Sequence, residues 1–162
     1  MPQVSTVPPE ALPQIPSALQ VEHRVIHEAL LRATKAPGDI GTAARELAGA
    51  LHDHFVREEE IALPPLGLLA ALARGEFTPE MRAVLPMTEA LRAELPRMLD
   101  EHQAIHAATR RLGEVARKAG NAEVQQLAEA LALHAQSEEE VFYPAALLVG
   151  EVVESRSQAN GS

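Results

Sequence analysis

Two stretches eighty residues apart, HFVREEEIALP from His54 to Pro64 and HAQSEEEVFYP from His134 to Pro144, carry a histidine, three consecutive glutamates and a proline at the same spacing. A second pair, EHRVIH at 22 to 27 and EHQAIH at 101 to 106, recurs at an offset of 79. A chain that writes two segments twice in the same order is built from two copies of one unit. Two like units pack most simply about an approximate two-fold axis, so that matching residues meet across one core.

Helical periodicity decides which residues those are. At about 100° per residue, positions four apart differ by roughly 40°, so His54 and Glu58 share a face, as do His134 and Glu138. Leu47, Leu51, His54, Glu58 and Ile61 step by 4, 3, 4 and 3, and Leu127, Leu131, His134, Glu138 and Val141 repeat those steps. This is the spacing of a core stripe. Leu19, His23, Ile26 and Leu30 form a similar stripe earlier in the chain, and Met98, His102, Ile105 and Leu112 form its later counterpart.

An ion buried alone costs several kcal/mol, and an unpaired neutral polar group about 1–3 kcal/mol. A polar network of histidines donating to carboxylates is one way to offset that. The other is a pair of cations, because imidazole nitrogens and carboxylate oxygens suit borderline divalent and trivalent metals and a glutamate from each of two helices can bridge both ions.

The remaining sequence sets the frame. Residues 1 to 16 hold five prolines and read as an extended arm. Ser17 and Gln20 have capping-box spacing, which starts a first helix over about 18–35. Pro37 and Gly38 stop it, and Asp39 or Thr42 caps a second helix reaching about 62. Residues 66–95 read as a long connection with helical pieces. Pro96 then opens a third helix, Gly120 closes it, and Asn121 caps a fourth over about 122–143. The expected fold is all-α: an antiparallel up-down four-helix bundle of two repeated helical hairpins over 17–150, with a flexible tail over 151–162.

Composition excludes several chemistries. The chain of 162 residues contains no cysteine, which removes disulfides, thiolate metal sites, iron–sulfur clusters and cysteine nucleophiles. A net charge of −9 offers no footprint for nucleic acid or an anionic membrane. No run approaches the roughly 18 apolar residues of a membrane span, so the reading is a cytoplasmic protein.

On the quoted motifs the chain resembles the hemerythrin-like HHE cation-binding family, whose pattern is a helix-1 histidine, a helix-2 histidine with glutamate four later, a helix-3 histidine, and a helix-4 histidine with glutamate four later. The resemblance covers about residues 17–146. It implies two iron ions on His23, His54, Glu58, His102, His134 and Glu138, bridged by Glu58, Glu138 and an oxo or hydroxo group. Manganese or zinc is the alternative, since the same ligands serve all three. Two departures stand out. Oxygen-carrying hemerythrins place a helix-4 aspartate five after its histidine, where this chain has Glu138 four after. The iron-cluster repair branch carries a cysteine-bearing N-terminal segment, which a chain without cysteine lacks.

His27 and His106 are further ligand candidates, each four residues after a helix histidine, and both should behave alike, as ligands or as outer groups orienting a ligand. If both bind, each ion's octahedron is full; if either does not, a position opens for dioxygen, nitric oxide or peroxide. The expected function is a non-haem di-iron protein that binds, senses or reduces such an oxidant, with a non-catalytic metal or redox sensor or a metal store as the alternative. Glu59, Glu60, Glu139 and Glu140 read as solvated faces, although one of each pair can reach a ligand imidazole, and Glu22 and Glu101 read as exposed or, alternatively, as carboxylates that orient a ligand histidine. His52 should face outward, and Tyr143, one turn beyond Glu138, should pack at the bundle end or else donate a hydrogen bond near the site.

Overall fold

The computed structural model describes residues 13–161; residues 1–12, most of the proline-rich arm, lie outside the described residues. The described chain is a helical bundle with no strand. Its elements are α1 (Ser17–Thr34), α2 (Gly38–Arg57), α3 (Leu69–Ala73), α4 (Leu85–Lys118), α5 (Ala122–Ser137) and α6 (Tyr143–Ala159). Helix α1 packs on α2 and α5, and α4 packs on the same two, so four long helices close a ring. No described helix is long and apolar enough to cross a membrane.

Apolar stripes form the core much as their spacing demands. Ile26, Leu30, Leu47, Leu51, Leu112, Leu127 and Leu131 make one buried cluster, and Leu63, Leu91, Met98, Tyr143 and Ala146 belong to another. Along each helix of the ring, the inward histidine falls between members or neighbours of these two clusters. The polar layer is therefore sealed above and below by aliphatic packing.

Several helix ends depart from their sequence signals. Ser17 is the first residue of α1 rather than its cap; Pro16 occupies that position, and its carbonyl accepts from the N–H groups of Leu19 and Gln20. Gly120 closes the α4–α5 turn in the left-handed region, φ 66°. Asn121 then caps α5 by accepting from the N–H of Val124 at 3.1 Å. Pro96 does not open a helix: α4 runs straight through it for 34 residues. An interior proline costs about 3 kcal/mol. Leu91 and Met98, on either side of it, are completely buried, and packing on both flanks holds the helix together. The expected connection over 66–95 shrinks accordingly to two 3₁₀ turns, Pro64–Leu68 and Pro79–Val84, with α3 between them.

Helix α6 replaces the first part of the expected tail. It continues to Ala159 and buries Val149, Gly150 and Val153. Gly150 is needed there, because a Cβ would lie 2.3 Å from the Thr88 hydroxyl oxygen.

Candidate metal centre

The ring delivers six polar side chains to one buried layer: His23 from α1, His54 from α2, His102 from α4, His134 from α5, and Glu58 and Glu138 just beyond α2 and α5. Glu58 is 0% and Glu138 1% exposed. Potential donor atoms of His23, Glu58, His134 and Glu138 lie within 4.8 Å of one another, and so do those of His54, Glu58, His102 and Glu138. The two glutamates belong to both groups.

Their oxygens divide between the histidine pairs. Glu58 Oε1 is 3.0 Å from His54 Nε2 and 3.8 Å from His102 Nε2, and its Oε2 is 4.0 Å from His23 Nε2. Glu138 Oε1 is 2.6 Å from His134 Nε2 and 3.6 Å from His23 Nε2, while its Oε2 is 3.3 Å from His102 Nε2. Glu58 Oε2 and Glu138 Oε1 accept no hydrogen bond of acceptable geometry, despite those close approaches. Buried carboxylate oxygens left in that way are costly.

Each of the four inner imidazoles is held at its other nitrogen by a further carboxylate. His54 Nδ1 donates to Glu101 Oε2 at 2.9 Å, His134 Nδ1 to Glu22 Oε1 at 3.0 Å, His102 Nδ1 to Glu139 Oε1 at 2.8 Å, and His23 Nδ1 to Glu59 Oε1 at 3.3 Å. Glu101 is itself fixed by Arg57 at 2.8 Å and Arg97 at 3.1 Å. Glu22, Glu59, Glu101 and Glu139, read from sequence as surface residues or, alternatively, as partners of a ligand imidazole, thus complete four carboxylate–imidazole pairs. Such a partner sets the tautomer and orientation of a histidine that ligates metal.

The consequence appears on the inner side. With Nδ1–H committed to a carboxylate, a neutral ring turns a bare lone pair inward at Nε2. Yet His23 and His134 bring their Nε2 atoms to 3.0 Å, and His54 and His102 bring theirs to 2.7 Å. Two lone pairs repel at that distance, and two N–H groups would clash. A proton shared within each pair relieves the conflict, and so does a cation drawn by both nitrogens. The donor set fits a metal.

Electrostatics agree. Burial lowers the pKa of each imidazole, but hydrogen bonds and charge from the facing carboxylates outweigh it: His23 and His54 are raised, His134 is raised to about 9 and His102 to about 10. Burial alone would raise Glu138, yet the close approach and charge of His102, His134 and His23 hold it well below the usual carboxylate range. The layer is a trap for positive charge.

Tyr143 belongs to this site rather than merely to the bundle end. Its hydroxyl donates a short hydrogen bond to Glu58 and lies 3.1 Å from His102 Nε2 and 3.4 Å from His54 Nε2. Burial, then the charges of Glu58 and Glu138, pushes that hydroxyl well above its usual range, so it remains a donor. In an unbroken α-helix a residue five beyond Glu138 points about 140° away from it. Here Glu138–Phe142 forms a π-helical turn, as does Glu58–Ala62 in the first hairpin. Both turns precede the repeated proline, whose ring would crowd the carbonyl four residues back and which has no N–H to offer it. The widened turn replaces that contact with bonds to the glutamate: Leu63 N–H and Tyr143 N–H donate to the carbonyls of Glu58 and Glu138. The extra residue also shifts the helical phase. Val141, expected in the core, is 54% exposed, Ile61 is only half-buried, and Ala62 and Leu63 take the buried places.

His27 and His106 do not behave alike. His27 is exposed on α1, outside both buried groups. His106 is half-buried and its Nε2 lies 3.1 Å from Glu139 Oε1, making a third cluster with His102 and Glu139. His52 faces outward, and Glu60 and Glu140 are exposed.

No curated protein and no solved structure matches the chain. The sequence profile of the Hemerythrin HHE cation binding domain matches residues 14–146. That span takes in every element that supplies the buried donors, and the chain belongs to the hemerythrin HHE cation-binding family.

Proposed function

We propose that this bundle, read as two antiparallel hairpins, is a dinuclear non-haem iron protein that binds, senses or reduces a small oxidant. In this reading His23 and His134 hold one ion, His54 and His102 hold the other, and Glu58 and Glu138 bridge them. The observation that carries it is the way each buried glutamate turns one oxygen toward each histidine pair. A single ion would need one pair only, and a plain hydrogen-bonded network would not leave Glu58 Oε2 and Glu138 Oε1 without partners.

Iron held there would supply electrons and a coordination position to dioxygen, nitric oxide or peroxide. Ions held by His23 and His134, by His54 and His102 and by the two shared glutamates would keep positions for a small molecule, because His27 lies outside the groups and His106 is turned to Glu139. The protein's own contribution is placement. Four carboxylate–imidazole pairs fix the rings, the aliphatic clusters keep bulk water from the layer, and the Tyr143 hydroxyl holds a proton beside His54 and His102.

The test is elemental analysis with an optical spectrum of aerobically purified protein. Roughly two irons per chain with charge-transfer bands that azide perturbs supports the proposal. Zinc with a featureless visible spectrum would point instead to a metal store or sensor. Absence of metal would overturn the dinuclear reading.

A further inference from the structure

Between α1 and α2 lies a groove of about 760 Å³ that reaches His23 and Glu59 at the edge of the metal centre but is lined mainly by residues that supply no donor to it. Leu30, Leu31, Leu51 and Val56 line it, with Phe55, whose ring stacks on His23 with centroids 4.7 Å apart and planes 25° from parallel. Leu31 and Val56 stay 46% and 44% exposed. The volume is many times the ~30 Å³ share of one water in the liquid, so a diatomic oxidant does not account for it. Its size and apolar walls are those of an organic-ligand pocket.

The internal repeat supplies a control. At the positions matching Leu30, Leu31, Phe55 and Val56, the second hairpin has Thr109, Arg110, Ala135 and Gln136. The corresponding space between α4 and α5 is about 400 Å³, with the unpaired hydroxyl of Thr109 in its lining. Both hairpins build the same buried histidine and glutamate layer, so that layer does not require an apolar groove. Gly49 adds a second observation. It sits inside α2, where glycine destabilises relative to alanine, and nothing lies within 4 Å of the place its Cβ would take. Its matching residue is Glu129. The missing side chain keeps the groove open.

Charge names the occupant. Arg24 lines the groove and makes no hydrogen bond or ion pair among the described residues, in a chain of net charge −9. His27 and His52 lie in the same lining and can donate as neutral rings. The one carboxylate there, Glu59, is turned to His23 at 3.3 Å. We infer that the groove binds an organic acid with an apolar body, a medium-chain or aromatic carboxylate, its acid group on Arg24 and its body along Leu31, Val56 and Phe55. This goes beyond the metal reading and does not depend on it, since Arg24, Gly49, Leu31 and Val56 supply no donor to the centre.

Decanoate is the probe, titrated calorimetrically into the full chain both as purified and after chelator treatment. A one-to-one complex in the micromolar range is expected in both, so a failure of the metal reading, seen in the iron content, leaves this result intact. Arg24→Gln should weaken binding about tenfold or more through loss of the paired charge. Gly49→Leu, which fills the groove while favouring the helix, should abolish it, and Arg110→Gln in the other hairpin should leave it unchanged. Decanol, with the same body and no acid, should bind weakly and ignore Arg24→Gln. The inference is overturned if decanoate does not bind at millimolar concentration, or if binding survives Arg24→Gln and Gly49→Leu together. It is overturned equally if the chain self-associates through this face in a way that Val56→Asp abolishes, since the occupant would then be a second copy.

Discussion

At one end of the polar layer His23 and His134 face each other, with Phe55 stacked on the first; at the other, His54 and His102 face each other with the Tyr143 hydroxyl reaching both. The repeat equates Phe55 with Ala135 and Tyr143 with Leu63, so neither the ring nor the hydroxyl has a counterpart. The outer carboxylates are matched in pairs, Glu22 with Glu101 and Glu59 with Glu139, but they too differ in depth. Those of Glu101 and Glu139 are 26% and 34% exposed, against 43% and 52% for Glu22 and Glu59. Duplication thus preserves the inner donors, while single side chains one layer out make the two ends chemically unlike. One end is tightly hydrogen-bonded and carries a phenol, and the other is looser and lies beside an apolar groove.

The largest effect should come from removing what the ends share. Glu58→Ala or Glu138→Ala leaves buried imidazoles unpaired, which should cost about 3–5 kcal/mol and release metal from both ends together. Thermal unfolding and metal stoichiometry check this; loss of one ion with full retention of the other would break the shared-bridge picture.

In chelator-treated protein, the ends should separate by pH. A histidine raised in the folded state stabilises fully below its unfolded pKa of about 6.5, and that stability is lost as pH rises through the folded value. The His134 contribution should therefore fade by about pH 9 and that of His102 by about pH 10. On the acid side, Glu138 is depressed, so its contribution is present above the normal carboxylate range and is lost as pH falls below it. Urea unfolding across pH, with imidazole resonances followed by NMR, gives the order; deprotonation of His102 ahead of His134 would reverse the comparison.

Next come the outer carboxylates. Alanine at any of the four should weaken metal affinity by about 10–100-fold. Glu101→Ala and Glu139→Ala should lie at the upper end of that range and Glu22→Ala and Glu59→Ala at the lower, as competition with a chelating indicator will show. Equal losses would mean that depth does not matter. Tyr143→Phe should keep the metal, lower stability by about 1.5 kcal/mol through the bond lost from Glu58, and change azide affinity. Glu60→Ala, fully on the outer face, should stay within about 0.5 kcal/mol of the parent in thermal unfolding.

Much of this was legible in the chain. His54 and Glu58, or His134 and Glu138, share a face because four residues make little more than one helical turn, whatever surrounds them. The outer carboxylates are legible only as one alternative beside solvent exposure. Glu59 lies one residue past Glu58, about 100° around the helix, and only the position of α1 decides that this direction meets His23 instead of water. For Ile61 and Val141, and for the choice between the two places open to Tyr143, a regular period misleads because it ignores the residue that each π-helical turn inserts before its proline. At Pro96 and in the segment after 150 the local signals to break the helix are outweighed by burial at Leu91, Met98 and Val153.

Local chemistry by itself therefore determined the helices' inner faces, the repeat, and the six side chains that cannot be buried without a cation or a proton between them. Tertiary structure decided which neighbour each remaining group meets: a carboxylate at every Nδ1, a phenol at one end, an open groove at the other. The physical reason is that a helical face is set by residue spacing, whereas a contact between helices depends on where another part of the chain comes to rest.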